Sequence, residues 1–287
     1  MSTVSIIPVC GGMYGAYLAG VLRELAYTME DYDIRLGSVH AFSAGAWTMP
    51  YFVAAQKNRQ QLGSMEMIWL HRACGRQLFD FTQLLKGGSV LQLQRMRSVL
   101  SKGELRLDKN ALFRTDTRFE IVVTDIQTGK PLYIAPRRLW LFRDLTASAA
   151  IPVFHPPVRV YGTYGCDGGL SDPVPIKRAL DFGSKKVIVV TNRLDKKWEC
   201  LWSRISKGAA SLLSMPTRGL LKTYLERAQE IEDQFNGDSR IFFVRNTSPL
   251  PMHLCIDTDA GRIAKTYELG KKTFCSVRQA FLDWATA

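Results

Sequence analysis

The chain has no apolar run approaching the ~20 residues that a helix needs to cross a bilayer, so no membrane-spanning segment is predicted. It also has no internal repeat and no low-complexity stretch that would divide it. Its first residues lack a basic segment ahead of an apolar one, which argues against a conventional secretory signal. We therefore predict one cytoplasmic domain over residues 1–287, with 46% hydrophobic residues to build its core.

Cysteine and histidine are both sparse. The six cysteines form no C-x-x-C pair, which predicts free thiols in a reducing compartment rather than a disulfide scaffold. None of the four histidines lies near a cysteine or an acid at metal-ligand spacing. We expect no catalytic metal and no cofactor.

Acidic residues are outnumbered by basic ones, 26 to 38, which gives a formal net charge of +12. This excess indicates an anionic partner or serves solubility alone. No helix–turn–helix, zinc-finger or aromatic RNA-binding signature accompanies it, so nucleic acid is not expected as a partner.

A serine stands where a predicted strand turns into a predicted helix. The strand covers Ser38–Phe42, the helix covers Ala44–Ala55, and residues 40–45 read HAFSAG. Hydrolases of the α/β class present a nucleophile at the tip of such a strand–turn–helix. The first glycine of the usual G-x-S-x-G pattern is Ala41 here, so Ser43 on its own also fits an ordinary strand-end or cap serine.

A glycine-rich turn, VCGGMYG at residues 9–15, links a predicted strand at Thr3–Val9 to a predicted helix at Gly15–Met29. Backbone N–H groups in such a turn, at the positive end of a helix, can bind a phosphate or stabilise an oxyanion. A tight turn that needs small residues is the simpler alternative. The glycine spacing does not match G-x-G-x-x-G, which argues against a dinucleotide site.

Other apolar runs predict three more strands and a helix: Arg118–Asp125, Lys130–Ala135, Lys185–Thr191 and the helix Leu139–Ala149. Strands that alternate with helices predict an α/β fold, with a mostly parallel central sheet flanked by helices. A helical insertion is expected at about residues 55–115, and a helical elaboration at about residues 194–235.

The sequence DGG at residues 167–169 is by itself only a turn signal. It follows ASAAIP at residues 147–152 and PPV at residues 156–158. Together with the glycine-rich turn and the serine motif, in this order, these segments resemble the patatin-like phospholipase family. The resemblance covers about Val4 to Asn192 and continues more weakly to Gly270.

The resemblance implies a patatin-like hydrolase fold and a serine lipid acyl hydrolase of the phospholipase A or lysophospholipase type. Its substrate would be a phospholipid or another fatty-acyl ester, which also accounts for an anionic partner. By the same resemblance, Ser43 is the nucleophile and Asp167 is the base of a dyad without histidine. The backbone N–H groups of Gly11 and Gly12 would form the oxyanion hole, with Ala44 after the nucleophile as a further donor.

Three departures from the family pattern keep other hypotheses open. Cys10 replaces the first glycine of the loop, Tyr14 replaces the usual Arg or Lys, and Ala41 replaces the first glycine of the serine turn. They motivate the alternative of a non-catalytic lipid- or nucleic-acid-binding module on a hydrolase scaffold. A Ser–His–Asp triad that uses His155 is the rival mechanism. Triads are recognised by geometry, which the spacing of residues in a sequence cannot supply.

Residues 194–213 carry an apolar stripe at helical spacing, with Trp198 and Trp202 one turn apart among Lys and Arg residues. Such a helix is typical of a peripheral contact with an anionic membrane surface. Packing of the stripe on the core is the alternative.

Overall fold

The computed structural model describes residues 2–192 and 215–287. The helices described are α1 (Gly15–Asp31), α2 (Ser43–Ala55), α3 (Gln60–Met67), α4 (Leu93–Ser101), α5 (Lys109–Leu112), α6 (Leu141–Ser148), α7 (Ile176–Asp181), α8 (Met215–Gln234) and α9 (Ala260–Thr286). The strands described are β1 (Thr3–Val9), β2 (Arg35–Ala41), β3 (Arg118–Asp125), β4 (Pro131–Ile134), β5 (Val158–Val160), β6 (Thr163–Asp167), β7 (Val187–Thr191) and β8 (Ile241–Arg245).

The strands form one mixed sheet in the order β5-β6-β3-β2-β1-β7-β8, and β4 also pairs with β3. The five strands from β3 to β8 in this order are parallel to their neighbours. Strands β4, β5 and β6 make antiparallel pairs. The predicted α/β class with a mostly parallel sheet is confirmed, and helices cover both faces.

Strand β1 lies in the middle of the sheet and is buried on both of its faces. Val4 and Ile6 point into the larger core, whereas Ile7 and Val9 point into a smaller one. This alternation follows from the two-residue period of a strand and explains why apolar residues occur at both odd and even positions of β1. The central position of β1 puts the glycine-rich turn next to the end of β2.

On the larger face, α1 and α9 cross at a backbone-to-backbone contact. A Cβ atom on Gly20 would lie 2.1 Å from the carbonyl oxygen of Tyr267, and one on Gly270 would lie 2.2 Å from that of Tyr17. Glycine at both positions therefore permits the two helices to approach this closely. The contact fixes α1, whose N-terminus follows the glycine-rich turn.

The strand before the serine turn differs from its predicted range at both ends. Strand β2 begins at Arg35 rather than Ser38 and ends at Ala41, so Phe42 belongs to the turn and not to the strand. Between residues 55 and 115, where a helical insertion is expected, α3, α4 and α5 occur. Of the region 194–235, the structure describes α8 only, and Trp198 and Trp202 lie outside the described residues.

A buried polar array connects β2, β3 and α7 on the smaller-core face. His40 Nδ1 lies 2.9 Å from Glu120 Oε2, and His40 Nε2 lies 3.1 Å from Ser38 Oγ. The Arg178 guanidinium donates to both carboxylate oxygens of Glu120, at 3.0 and 2.5 Å. Burial raises the pKa of Glu120, but the hydrogen bonds from His40 and Arg178 outweigh it and lower that pKa to about 2.

We expect Glu120→Gln to remove a pH-dependent part of the stability. The folded pKa of Glu120 lies below its ordinary value of 4.5, so the carboxylate stabilises the fold above that pH and loses the effect as pH falls toward 2. The effect amounts to up to about 3 kcal/mol at neutral pH. Urea unfolding at pH 7 and pH 3 measures it, with the exposed Glu226→Gln as control. Equal pH dependence in wild type and Glu120→Gln would contradict this assignment.

Candidate active site

Ser43 sits at a strained turn between β2 and α2. Its φ angle is +50°, in the left-handed region that residues other than glycine seldom adopt. Phe42 before it is extended, with φ −138° and ψ 167°, and the helix starts at Ser43 itself. Strain of this kind concentrates at functional sites and is typical of a nucleophile held at the tip of a sharp turn.

Two neighbours hold this turn in place. A Cβ atom on Gly45 would lie 2.8 Å from the carbonyl oxygen of Pro8 in β1, so glycine is needed for the helix to start there. On the other side, the Ser43 backbone N–H donates to Ser148 Oγ at 3.2 Å, and Ser148 Oγ donates to the Val122 carbonyl at 2.7 Å. The Ser148 hydroxyl therefore ties the turn to β3.

Asp167 ends β6 and its carboxylate caps the following turn. Its Oδ1 atom accepts a hydrogen bond from the Gly169 N–H at 3.0 Å. The strand itself is fixed to β3, where Val123 is the register partner of Asp167. The Thr124 hydroxyl also donates to the Asp167 carbonyl at 2.7 Å. The position of this side chain is thus set by backbone contacts.

The two glycines after Asp167 let its turn pack directly on the residue before Ser43. A Cβ atom on Gly168 would lie 2.1 Å from the Val122 carbonyl oxygen. One on Gly169 would lie 2.7 Å from the Phe42 ring. Larger residues would push the turn away, so the DGG sequence brings the Asp167 and Ser43 turns together.

Asp167 and Ser43 line the same pocket, and both are more than 90% buried. Burial raises the pKa of Asp167 to about 7, although side-chain hydrogen bonding with Ser43 and the N–H of Gly169 opposes the rise. An ordinary aspartate has a pKa near 3.8. The Asp167 carboxylate is therefore a stronger base than an exposed one and changes its charge near neutral pH.

The glycine-rich turn forms another wall of this pocket. Gly11 is extended, and a Cβ atom there would meet nothing within 4 Å. Gly12 has φ +55°, and its backbone lies so close to Cys255 that a Cβ atom would be 2.4 Å from the Cys255 carbonyl oxygen. The Met13 N–H donates to the same oxygen at 2.7 Å. The turn is thus anchored to the segment that precedes α9.

Ala44 lies in the first turn of α2, where backbone N–H groups have no partner within the helix. Gly12, Ser43 and Ala44 line one continuous pocket wall. The residues predicted for the site therefore line two pockets that share Gly12 and Ser43. Ala44 lines the first, and Gly11 and Asp167 line the second.

A narrow, mainly apolar pocket with a volume of about 30 Å³ lies beside Ser43. The segment between α2 and β3 supplies half of its twelve lining residues: Trp69, Leu78, Phe79, Leu91, Leu93 and Met96. The indole N–H groups of Trp47 and Trp69 donate to the Leu145 carbonyl and the Thr48 hydroxyl, at 2.9 and 3.1 Å. With these groups satisfied, the pocket presents apolar surface.

Two residues of the site were not predicted from the sequence. Ser148 belongs to the ASAAIP motif, but no role for its hydroxyl was inferred. Tyr224 of α8 lines the pocket that holds Ser43 and Asp167. Burial, and then the negative charge of Asp167, raises the pKa of its phenol, which therefore stays protonated and can donate a hydrogen bond.

The three departures from the family pattern are accommodated without obstructing the pocket. Cys10 and Ala41 are buried in the larger core, and burial raises the pKa of the Cys10 thiol. Tyr14 is also buried there. None of the three lines either pocket that contains Ser43.

All four histidines lie in the part of the chain that the structure describes, and none is among the described residues that line the two pockets that share Gly12 and Ser43. The Nδ1 atom of His155 lies 2.7 Å from the carbonyl oxygen of Pro156, which fixes its ring toward its own loop. His40 belongs to the polar array with Glu120. Within residues 2–192 and 215–287, no group of three or more His, Cys, Asp or Glu could hold a metal ion.

The family model for patatin-like phospholipase matches residues 10–180 of the chain. This is more than half of its 287 residues, so the chain belongs to the patatin-like phospholipase family, a family of lipid acyl hydrolases. The match contains the glycine-rich turn, the Ser43 turn and Asp167.

Among curated proteins, the uncharacterised protein YjjU of Escherichia coli (strain K12) is 26% identical over 271 residues, which cover 91% of this chain and 73% of YjjU. Among solved structures, VipD from Legionella pneumophila matches with a TM-score of 0.49 and 14% identity, over 98% of this chain and 67% of VipD. No helix in the described residues is long and apolar enough to span a membrane.

Proposed function

We propose that this protein is a serine esterase of the phospholipase A or lysophospholipase type that uses a Ser43–Asp167 dyad. One observation carries the proposal: a serine at φ +50° after a strand shares a buried pocket with an aspartate whose pKa is raised to about 7. Membership of a lipid hydrolase family supports it.

In the first half of the reaction, Ser43 Oγ attacks the ester carbonyl and its proton passes to the Asp167 carboxylate. The tetrahedral intermediate collapses, the alkoxide leaving group takes the proton from Asp167, and an acyl group remains on Ser43. In the second half, water attacks the acyl-enzyme while Asp167 accepts its proton. Ser43 leaves with that proton, and the fatty acid is released.

The oxyanion of each intermediate is held by backbone N–H groups of Gly11, Gly12 and Ala44 in this proposal. The N–H of Ser43 is already used on Ser148, so it is not one of the donors. Backbone donors need no side chain, which explains how Cys10 and Tyr14 are compatible with activity. Tyr224, whose phenol stays protonated, lines the same pocket as Ser43 and Asp167.

The apolar pocket beside Ser43 supports a fatty-acyl ester as the substrate class. It begins at the attacking serine and is lined by Trp, Leu, Phe and Met side chains. Burial of an alkyl chain against these side chains is energetically favourable. In this proposal an entering acyl chain widens the narrow pocket by moving its lining side chains and brings its carbonyl carbon next to Ser43. The α4 residue Met96 lines this pocket and is almost fully buried.

We expect Met96→Trp to shorten the preferred acyl chain, because the larger side chain fills the pocket. In a series of p-nitrophenyl esters, the variant should hydrolyse the C4 ester at a near wild-type rate and the C12 ester at least about tenfold more slowly. Met96→Ala, which enlarges the same space, should leave the C12 rate or raise it relative to C4. A uniform loss across the series in both variants would show that this pocket does not hold the acyl chain.

A further inference from the structure

Two segments at the edge of the apolar pocket form a continuous surface, which we call the mouth rim: residues 79–91 and 151–156. Phe79, Leu91 and Ile151 line the pocket itself. The two segments are joined, because the Leu91 N–H donates to the Phe154 carbonyl at 3.0 Å. The Phe154 ring also makes an edge contact with Phe79, at 6.4 Å between centroids.

The outer side of the mouth rim exposes apolar side chains. Leu85 is 91% exposed, Phe81 is 46% exposed and Val153 is 44% exposed. Phe81 belongs to the rim through its contact with Phe154, at 6.2 Å between ring centroids. Apolar side chains grouped at the entrance of an apolar pocket mark an interaction surface more strongly than single exposed residues do.

The backbone of the mouth rim is strained at Val153, whose φ is +77°. A β-branched residue pays a steric cost in this region, and such strain persists where the surrounding structure enforces it. Ile151 and Pro152, just before it, are buried against the active site. The strained residue therefore marks the point where the chain changes direction. The side chains of Ile151 and Pro152 before it are buried, and the side chain of Val153 is exposed.

The two rim segments and their sequence neighbours carry mainly basic residues, of which Arg95 forms an ion pair with the buried Asp80. Residues 71–102 contain six Arg or Lys residues and a single acid, Asp80. Asp80 is buried and already accepts hydrogen bonds from Thr82 and Gln83. Residues 149–164 contain Arg159 and no acid. Exposed apolar side chains beside basic residues match a partner that combines an apolar interior with an anionic surface.

We propose that the mouth rim docks on the interface of an anionic phospholipid bilayer, with Phe81, Leu85 and Val153 entering the head-group region. The exposed Lys86, next to Leu85, would meet anionic head groups. The proposal rests on the proposed function, since docking here lets an acyl chain enter the pocket without crossing water. It assigns membrane contact to residues other than Trp198 and Trp202, which lie outside the described residues.

The test is vesicle co-sedimentation in a Ser43→Ala background, which keeps the lipids intact. We expect binding to phosphatidylglycerol vesicles that exceeds binding to phosphatidylcholine vesicles and weakens with added salt. Phe81→Ser with Leu85→Ser should reduce binding to phosphatidylglycerol at least about tenfold, because two apolar side chains lose their insertion energy. Leu139→Ser, at a leucine that is 79% exposed outside the mouth rim, is the matched control and should bind normally.

Unchanged binding by the double variant, or an equal loss with Leu139→Ser, would overturn the proposal. Equal binding to both vesicle types at low salt would also overturn it.

In the wild-type background the double variant should keep its rate on a short soluble ester, which shows that the fold and the dyad are intact. If the double variant unfolds, the single Leu85→Ser variant replaces it, because that side chain is almost fully exposed. Failure of the dyad itself would appear as soluble-ester turnover by Ser43→Ala and leaves the binding results interpretable.

Discussion

Ser43→Ala is expected to lower the hydrolysis rate of a short p-nitrophenyl ester by a factor on the order of 10⁴ to 10⁶, the range found when a catalytic serine is removed. The acyl-enzyme cannot form, because alanine has no oxygen to carry the acyl group. The fold should remain, since the backbone N–H of residue 43 can still donate to Ser148. Turnover by purified protein and its thermal unfolding midpoint are the two measurements.

Ser38→Ala provides a demanding control for this experiment. Ser38 is also buried and lies 3.1 Å from a histidine nitrogen, in an arrangement with His40 and Glu120 that resembles a triad on paper. It lies within β2, before the strained turn, and lines neither pocket that contains Ser43. We expect this variant to keep its activity. Loss of turnover in Ser38→Ala with retention in Ser43→Ala would identify Ser38 as the nucleophile.

Asp167→Asn should lower the rate by about 10³-fold or more, because the amide can neither accept the Ser43 proton nor carry its charge. In the wild type, only the deprotonated carboxylate acts as base. With a pKa of about 7, kcat/KM should therefore rise with pH and level off above neutrality. The pH–rate profile of the short ester measures this. A profile that is flat from pH 5 to pH 9 would contradict a base with this pKa.

Asp167→Asn should lower the rate without lowering the stability of the fold. This difference separates the chemical role of Asp167 from a structural role. The folded pKa of Asp167, about 7, lies above its ordinary value of 3.8, so the native state loses stability as pH rises between these values. At pH 8 the buried charge costs up to about 4 kcal/mol. Asp167→Asn should thus unfold at a temperature equal to or above that of wild type at pH 8. Asp172→Asn, in the same loop but hydrogen-bonded to Tyr133, is the matched control and should remain active.

The parts of the site that follow directly from local sequence were predictable. Strands β1 and β3 begin and end at the predicted residues, because both are rich in Val, Ile or Phe and are bounded by turn residues. Ser43 and Asp167 could be singled out because the motifs that contain them, taken in order, resemble those of patatin-like phospholipases. Their shared pocket could not be derived from spacing, because it depends on Gly168 and Gly169 packing around Phe42.

The strands that were not predicted have short or irregular sequence patterns. The residue that was not predicted reaches the site through a contact between segments distant in sequence. Strand β5 has three residues, and β6 contains a tyrosine and a glycine, so neither shows a clear alternation. Strand β8 is apolar but only five residues long, and its assignment to the sheet edge depends on pairing with β7. Tyr224 reaches the site from α8, more than fifty residues after Asp167. No local pattern reports such a contact.

Covalent labelling tests the central claim most directly. A fluorophosphonate probe reacts with a serine that is activated for attack on an acyl centre, so peptide mapping by mass spectrometry locates the nucleophile without knowledge of the natural lipid. We predict one labelled peptide, with the adduct on Ser43, that is absent in Ser43→Ala and strongly slowed in Asp167→Asn. Absence of any adduct, or an adduct on another serine that persists in Ser43→Ala, would contradict the account.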